Sequence, residues 1–269
     1  MDSQLNNTDD YDKAVFSRDG FLVKKGLAPV ALCDEIRAVS LAQLKENVAP
    51  IEYEVDVQYP GSPISKSAAG GDTCRRLLHA YARNDLYRDW ATNDKLKSIL
   101  VNLFGSESGT AESVSRGQSS VEISQCHHNC VMTKQPGYSS ATLWHQDNRY
   151  WSFDEQNLIS VWLAVGDETK NNGCLRVIPG THKLEIEPGR FDASLFLRPD
   201  LPANKALIAQ SQIVELEKGD VLFFHSRLFH AAGRNLSGDT KISLVFTYHQ
   251  STNLPIRGTR SDRFPSISL

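Results

Sequence analysis

No stretch of the 269-residue chain approaches the roughly 18 consecutive apolar residues a membrane span needs, so no transmembrane helix is expected. Neither sign of charge dominates. The 29 Lys and Arg stand against 32 Asp and Glu, a formal net of −3, which argues against a nucleic-acid binder relying on bulk charge. Cysteine is sparse. Five residues form no regular framework, which argues against a disulfide-stapled secreted fold and fits a reducing, cytoplasmic compartment. The opening Met1-Asp2-Ser3-Gln4-Leu5-Asn6-Asn7 has no apolar core of a leader, so no signal peptide is expected. There is no internal repeat and no long low-complexity tract. What remains is 40% apolar content, enough for a sizeable core, in a chain of single-domain length over 1–269.

The informative stretch is Trp144-His145-Gln146-Asp147-Asn148-Arg149-Tyr150-Trp151. His145 and Asp147 form an H-x-D pair. On one strand or its end, residues i and i+2 face the same way, so an imidazole and a carboxylate converge. That is two-thirds of the two-histidine, one-carboxylate set that holds non-haem Fe(II) with open positions. A third ligand is expected from Gly219-Asp220-Val221-Leu222-Phe223-Phe224-His225, a turn into an apolar strand, followed by His230 before a small-residue turn. His230 lies 83 residues after Asp147, room for several intervening strands. His225 is the competitor, favoured instead as a buried histidine bonded to backbone.

Together with Asn171-Asn172-Gly173-Cys174-Leu175-Arg176-Val177-Ile178-Pro179-Gly180-Thr181-His182-Lys183, these blocks resemble the phytanoyl-CoA dioxygenase family in order and approximate spacing. The resemblance covers roughly residues 120–250. It implies a mainly β fold with flanking helices, a double-stranded β-helix (jelly-roll, cupin-like) barrel. It also implies Fe(II) on His145, Asp147 and His230, with 2-oxoglutarate and O2 as cosubstrates. A basic residue about eleven positions after the distal histidine should hold the far carboxylate of 2-oxoglutarate. That position is Lys241, a point charge where many members carry the bidentate fork of arginine. Arg234, in the turn after His230, is a possible substitute. Lys134, on the strand preceding the H-x-D pair, and Trp162, facing the barrel interior, are further cosubstrate candidates.

In chain order, residues 1–12 read as a frayed end or short arm. A turn at Asp19-Gly20 leads into a strand, and Pro29 to Glu46 has helical apolar spacing. Residues 49–73 become a Pro/Gly/Ser loop that could act as a lid, so 1–110 is expected to support and cover a core at 120–250. Arg75, Arg76 and Arg83 are either a solvated helix face or a rim for a carboxylate or phosphate. Residues 105–120 read as a loop, and 121–134 as one strand placing His128, Cys130, Met132 and Lys134 on one face. Cys126-His127-His128-Asn129-Cys130 is not read as a zinc site, because neighbours on a strand point apart and no second ligand pair is evident. Arg149 and Trp151 flank the H-x-D pair and are candidates to contact substrate. Arg176, central in an apolar strand, needs a partner if buried: a substrate or cosubstrate carboxylate, or a structural ion pair. Residues 183–212 are expected to cover the barrel mouth, and the tail from Ser251 to be disordered or a basic arm.

The expected reaction is hydroxylation of an unactivated C–H of a small anionic substrate. A sugar acid, free or lipid-linked, an acyl-CoA and an amino-acid derivative all fit. Two other readings stand beside it: a cupin-like isomerase that consumes no 2-oxoglutarate, and a non-catalytic ligand-binding barrel.

Overall fold

The computed structural model describes residues 2–105 and 121–269, with side chains from residue 9 onward. The expected loop at 105–120 lies outside them apart from Gly105. Among the described residues no helix is long and apolar enough to cross a membrane.

Among the described residues there are two antiparallel sheets. The larger runs β1 (Phe21–Lys24), β10 (Val221–His225), β7 (Leu158–Ala164), β12 (Lys241–Gln250), β5 (Cys130–Lys134), β3 (Cys74–Leu78) and β2 (Ile51–Tyr53). The smaller runs β6 (Thr142–His145), β11 (His230–Ala232), β8 (Leu175–Val177) and β9 (Gln212–Val214). This is the expected mainly β jelly roll with flanking helices. Its two sheets face each other without closing into a barrel; among the described residues no strand pairs across them.

Alternation along β12 explains the layering. Ile242, Leu244, Phe246 and Tyr248 pack with Ile36, Tyr87, Leu96 and Leu100 in a core between the large sheet and the helices. Val245 points the other way and joins Trp162, Phe224, Leu175 and Val177 in a second core between the sheets. Lys241 and Ser243 share that inward face, so the period of two places a lysine inside the molecule.

Three local expectations change. The first residues are not a frayed arm: a helix runs Asp2–Asp19, tied down by Asp12 to Lys24 at 2.6 Å and by Asn102 Nδ2 donating to Asp9 O. The strand expected over 121–134 is two pieces, β4 (Val121–Ser124) and β5, both on one edge of β12. The intervening turn leaves the ladder, and His128 there has φ +20°, a backbone state a pleated strand does not use. The tail is ordered: β13 (Ile267–Ser268) pairs with β4.

Candidate metal centre and its pocket

The pairing of β6 with β11 sets His145 directly opposite His230, their ring centroids 4.2 Å apart. Asp147 is not on the strand. It opens a 3-10 turn, Asp147–Tyr150, and reaches the histidines from there. Its Oδ1 lies 3.6 Å from Nε2 of each imidazole, and the three candidate ligand atoms fall within 4.8 Å of one another.

Both imidazoles are held in one tautomer. Nδ1 of His145 donates to Leu143 O at 2.8 Å, and Nδ1 of His230 to Leu228 O at 3.0 Å. A carbonyl only accepts, so the proton sits on Nδ1 and the Nε2 lone pairs face Asp147. Two neutral imidazoles and a carboxylate, each buried, fit the donor set for Fe(II). Burial, with the neighbouring His230, pushes His145 down to about 4. Burial alone would raise the Asp147 carboxyl, but His128, His230 and His145 outweigh it and hold it well below the usual range.

His128 is an addition that sequence reasoning missed. The break between β4 and β5 turns it inward, with Nε2 3.5 Å from Asp147 Oδ1 and Nδ1 3.2 Å from Ser160 Oγ. The alternation that grouped it with Met132 and Lys134 was the available signal, since all three line the pocket beside the cluster.

The far end of that pocket is built from charge. Lys241 Nζ donates to Glu168 Oε2 at 2.8 Å and to Ser243 Oγ at 3.2 Å. Ser243 Oγ and Trp162 Nε1 donate to Glu168 Oε1, at 2.5 and 2.8 Å. Lys134 Nζ donates to Ser140 O at 2.8 Å, and burial beside Arg75 and Lys241 pushes it down to about 7. Gly173, at φ +79°, closes the wall: a Cβ there would meet Gly233 O at 2.6 Å and Lys134 Cδ at 2.9 Å. Arg234 is elsewhere. Its guanidinium donates to Ser139 O and Gly137 O, and it does not line the pocket.

The other arginines separate. Arg75 and Arg76 are on β3, not a helix, and both line the pocket. The register with β2 skips Arg75, Glu52 facing Arg76 and Tyr53 facing Cys74. Such a bulge lets consecutive side chains turn to one side. Arg75 is paired with Glu54 at 3.3 Å and Glu52 at 3.4 Å. Arg83 is structural: it donates to the carbonyls of Leu78, Val48 and Pro50 and to Gln43, away from the pocket. Arg176 is exposed, its guanidinium on Ser211 Oγ and 5.5 Å from the Trp144 ring, so it needs no buried partner. Arg149 and Trp151 stand at the pocket mouth. Arg149 bonds Tyr59 Oη and Ser194 O and lies 3.9 Å over the Phe196 ring. Trp151 stacks on His127 at 4.9 Å. Phe196, from the excursion at 183–212, sits edge-on to His145 at 5.9 Å and was not foreseen. His225 lies apart, its Nδ1 accepting from Arg227 N–H at 3.0 Å and its ring against His182.

His127 and His225 give a pH expectation for stability. Burial pushes each down to about 3. The unfolded chain therefore binds protons that the fold does not, and stability falls as pH drops from about 6.5 toward 3. By pH 5 each contributes about 2 kcal/mol of loss. Urea midpoints at pH 7.5 and pH 5 measure this, and equal midpoints would contradict neutral burial of these rings.

A family model described as phytanoyl-CoA dioxygenase (PhyH) matches residues 16–243. Phytanoyl-CoA dioxygenase 1 of Oryza sativa subsp. japonica is 34% identical over 104 residues, covering 39% of this chain and 37% of the rice protein. The peroxisomal phytanoyl-CoA dioxygenase of Homo sapiens is 31% identical over 148 residues, covering 50% of this chain and 43% of the human protein. The matches thus span less than half the length of these two relatives. Among solved structures, the epimerase SnoN in complex with Fe3+, alpha ketoglutarate and nogalamycin RO superposes with a TM-score of 0.70 at 18% identity, covering 98% of this chain and 95% of that one. At that identity the likeness speaks for the fold.

Proposed function

Because the chain belongs to the phytanoyl-CoA dioxygenase family, we propose that it is an Fe(II)- and 2-oxoglutarate-dependent dioxygenase hydroxylating an unactivated C–H of a small anionic substrate. The observation that carries this reading is the convergence of His145, Asp147 and His230 within 4.8 Å, with both Nδ1–H groups tied to backbone carbonyls. Iron held there supplies, with 2-oxoglutarate and O2, an oxidation coupled to release of succinate and CO2.

The chain's own residues do the positioning. Lys241 and Lys134 meet the far carboxylate of 2-oxoglutarate at the deep end, beside the apolar walls of Trp162 and Leu175. Tyr59, Arg149, Trp151 and Phe196 surround the mouth and limit water around the reacting carbon. Arg75 and Arg76 favour a substrate carrying negative charge. Beyond β2, the remainder of the segment 49–73, which contributes Tyr59, serves as a lid. Five free thiols fit a cytoplasmic enzyme.

The test is equilibrium binding of 2-oxoglutarate to protein loaded anaerobically with Fe(II), then succinate release on exposure to O2. Binding with slow succinate release is the expected result. Failure to bind 2-oxoglutarate would return the chain to an isomerase or a non-catalytic ligand binder.

A further inference from the structure

A second cavity of about 260 Å³ adjoins the metal pocket, and Arg76 and His128 line both. Its outer wall comes from the C-terminal segment through Arg260, Arg263 and Phe264. These residues lie beyond 243, where the family match ends. We propose that this cavity binds a phosphate group of the substrate, an inference that rests on the oxygenase reading and narrows its substrate class.

The charge balance supports a multivalent anion. Among the described residues, three guanidiniums and no carboxylate line the cavity. Among the described residues neither Arg260 nor Arg263 has an acidic partner, and the ion-pair partner of Arg76, Glu52 at 3.3 Å, is shared with Arg75. One carboxylate is satisfied by one guanidinium fork, whereas a phosphate dianion offers three oxygens and about two charges. The wall is also fixed in place. Ser261 Oγ bonds His127 Nε2 at 2.7 Å and accepts from Ser152 N at 2.8 Å, Gln125 Nε2 donates to Pro265 O, and β13 is paired with β4. The arginines therefore project from an anchored segment. With Arg76 and His128 shared between the cavities, a phosphate held here leaves the rest of the same molecule within the metal pocket.

The experiment is calorimetric titration of the full chain with inorganic phosphate, beside an Arg260→Ala/Arg263→Ala variant at two exposed positions, the Arg263 guanidinium lying over the Phe264 ring. Phosphate should bind the native protein and bind the variant at least about tenfold more weakly, as loss of charged hydrogen bonds implies. The same samples, loaded with iron, are titrated with 2-oxoglutarate. Equal phosphate affinity in both proteins, or acetate binding as tightly as phosphate, would overturn the site. Displacement of phosphate by 2-oxoglutarate would place it at the lysine end and overturn it too. Phosphate that accelerates succinate release without substrate would make it an effector site, which is also contrary to the proposal. Absence of 2-oxoglutarate binding with normal phosphate binding would instead strike the oxygenase reading, so the two failures are separable.

Discussion

Asp147→Ala is expected to lower iron-dependent succinate formation by more than the roughly 10–100-fold that loss of a ligand's outer partner costs. The carboxylate is the one anionic member of the cluster, and its Oδ1 is equidistant, at 3.6 Å, from the two imidazole nitrogens. Without it, two neutral rings remain to hold a dication. A readout independent of turnover is available. A metal ion that binds the folded state alone stabilises it by about 2.7 kcal/mol at a hundredfold excess over Kd. The native protein should show such a rise in thermal midpoint with Fe(II) under argon, and the variant should show none. His128→Gln is the contrast. It touches the carboxylate without belonging to the ligand set, so a reduction within that 10–100-fold range is expected with the midpoint rise retained. If Asp147→Ala keeps both succinate formation and the midpoint rise, the metal is elsewhere.

The three residues that converge, His145, Asp147 and His230, were legible because they depend on residue type and order, and the alternation of β12 because burial on two faces imposes a period of two. The route by which the ligands meet was not. The H-x-D spacing suggested one strand face, yet Asp147 comes off a 3-10 turn, and the match of His145 to His230 is a register between strands far apart in sequence. Arg75 and Arg76 show the same limit. Strict alternation would send one of them outward, and only the bulge opposite Glu52 and Tyr53 brings both to the pocket. Arg176 is the opposite case: in the middle of an apolar strand it would need a partner if buried, but β8 turns that position to solvent. Glu168 and Phe196 had no signal at all, being ordinary residues of a turn and an aperiodic excursion until the fold sets them beside Lys241 and His145.

Lys241→Met should have two separable effects. Lys241 and Glu168 are both buried, with side chains 4% and 0% exposed, so removing the ammonium leaves the carboxylate without its cation. Breaking a buried pair on one side costs about 3–5 kcal/mol, and the urea midpoint should fall accordingly. Adding Glu168→Gln removes the orphaned charge while keeping an oxygen for the Trp162 and Ser243 donors, so the double variant should recover most of that loss. Binding should behave differently. If Lys241 holds the far carboxylate of 2-oxoglutarate, both variants lose a charged contact worth about 2–5 kcal/mol, a weakening on the order of 30- to 5,000-fold. Lys241→Arg should not restore it. The ammonium sits among Glu168, Ser243 and the Trp162 ring in a space shaped for a point charge, and a planar fork must displace one of them. A double variant that is stable and binds 2-oxoglutarate normally would move the anchor to Lys134, whose ammonium faces the same cavity, and Lys134→Met would then carry the loss.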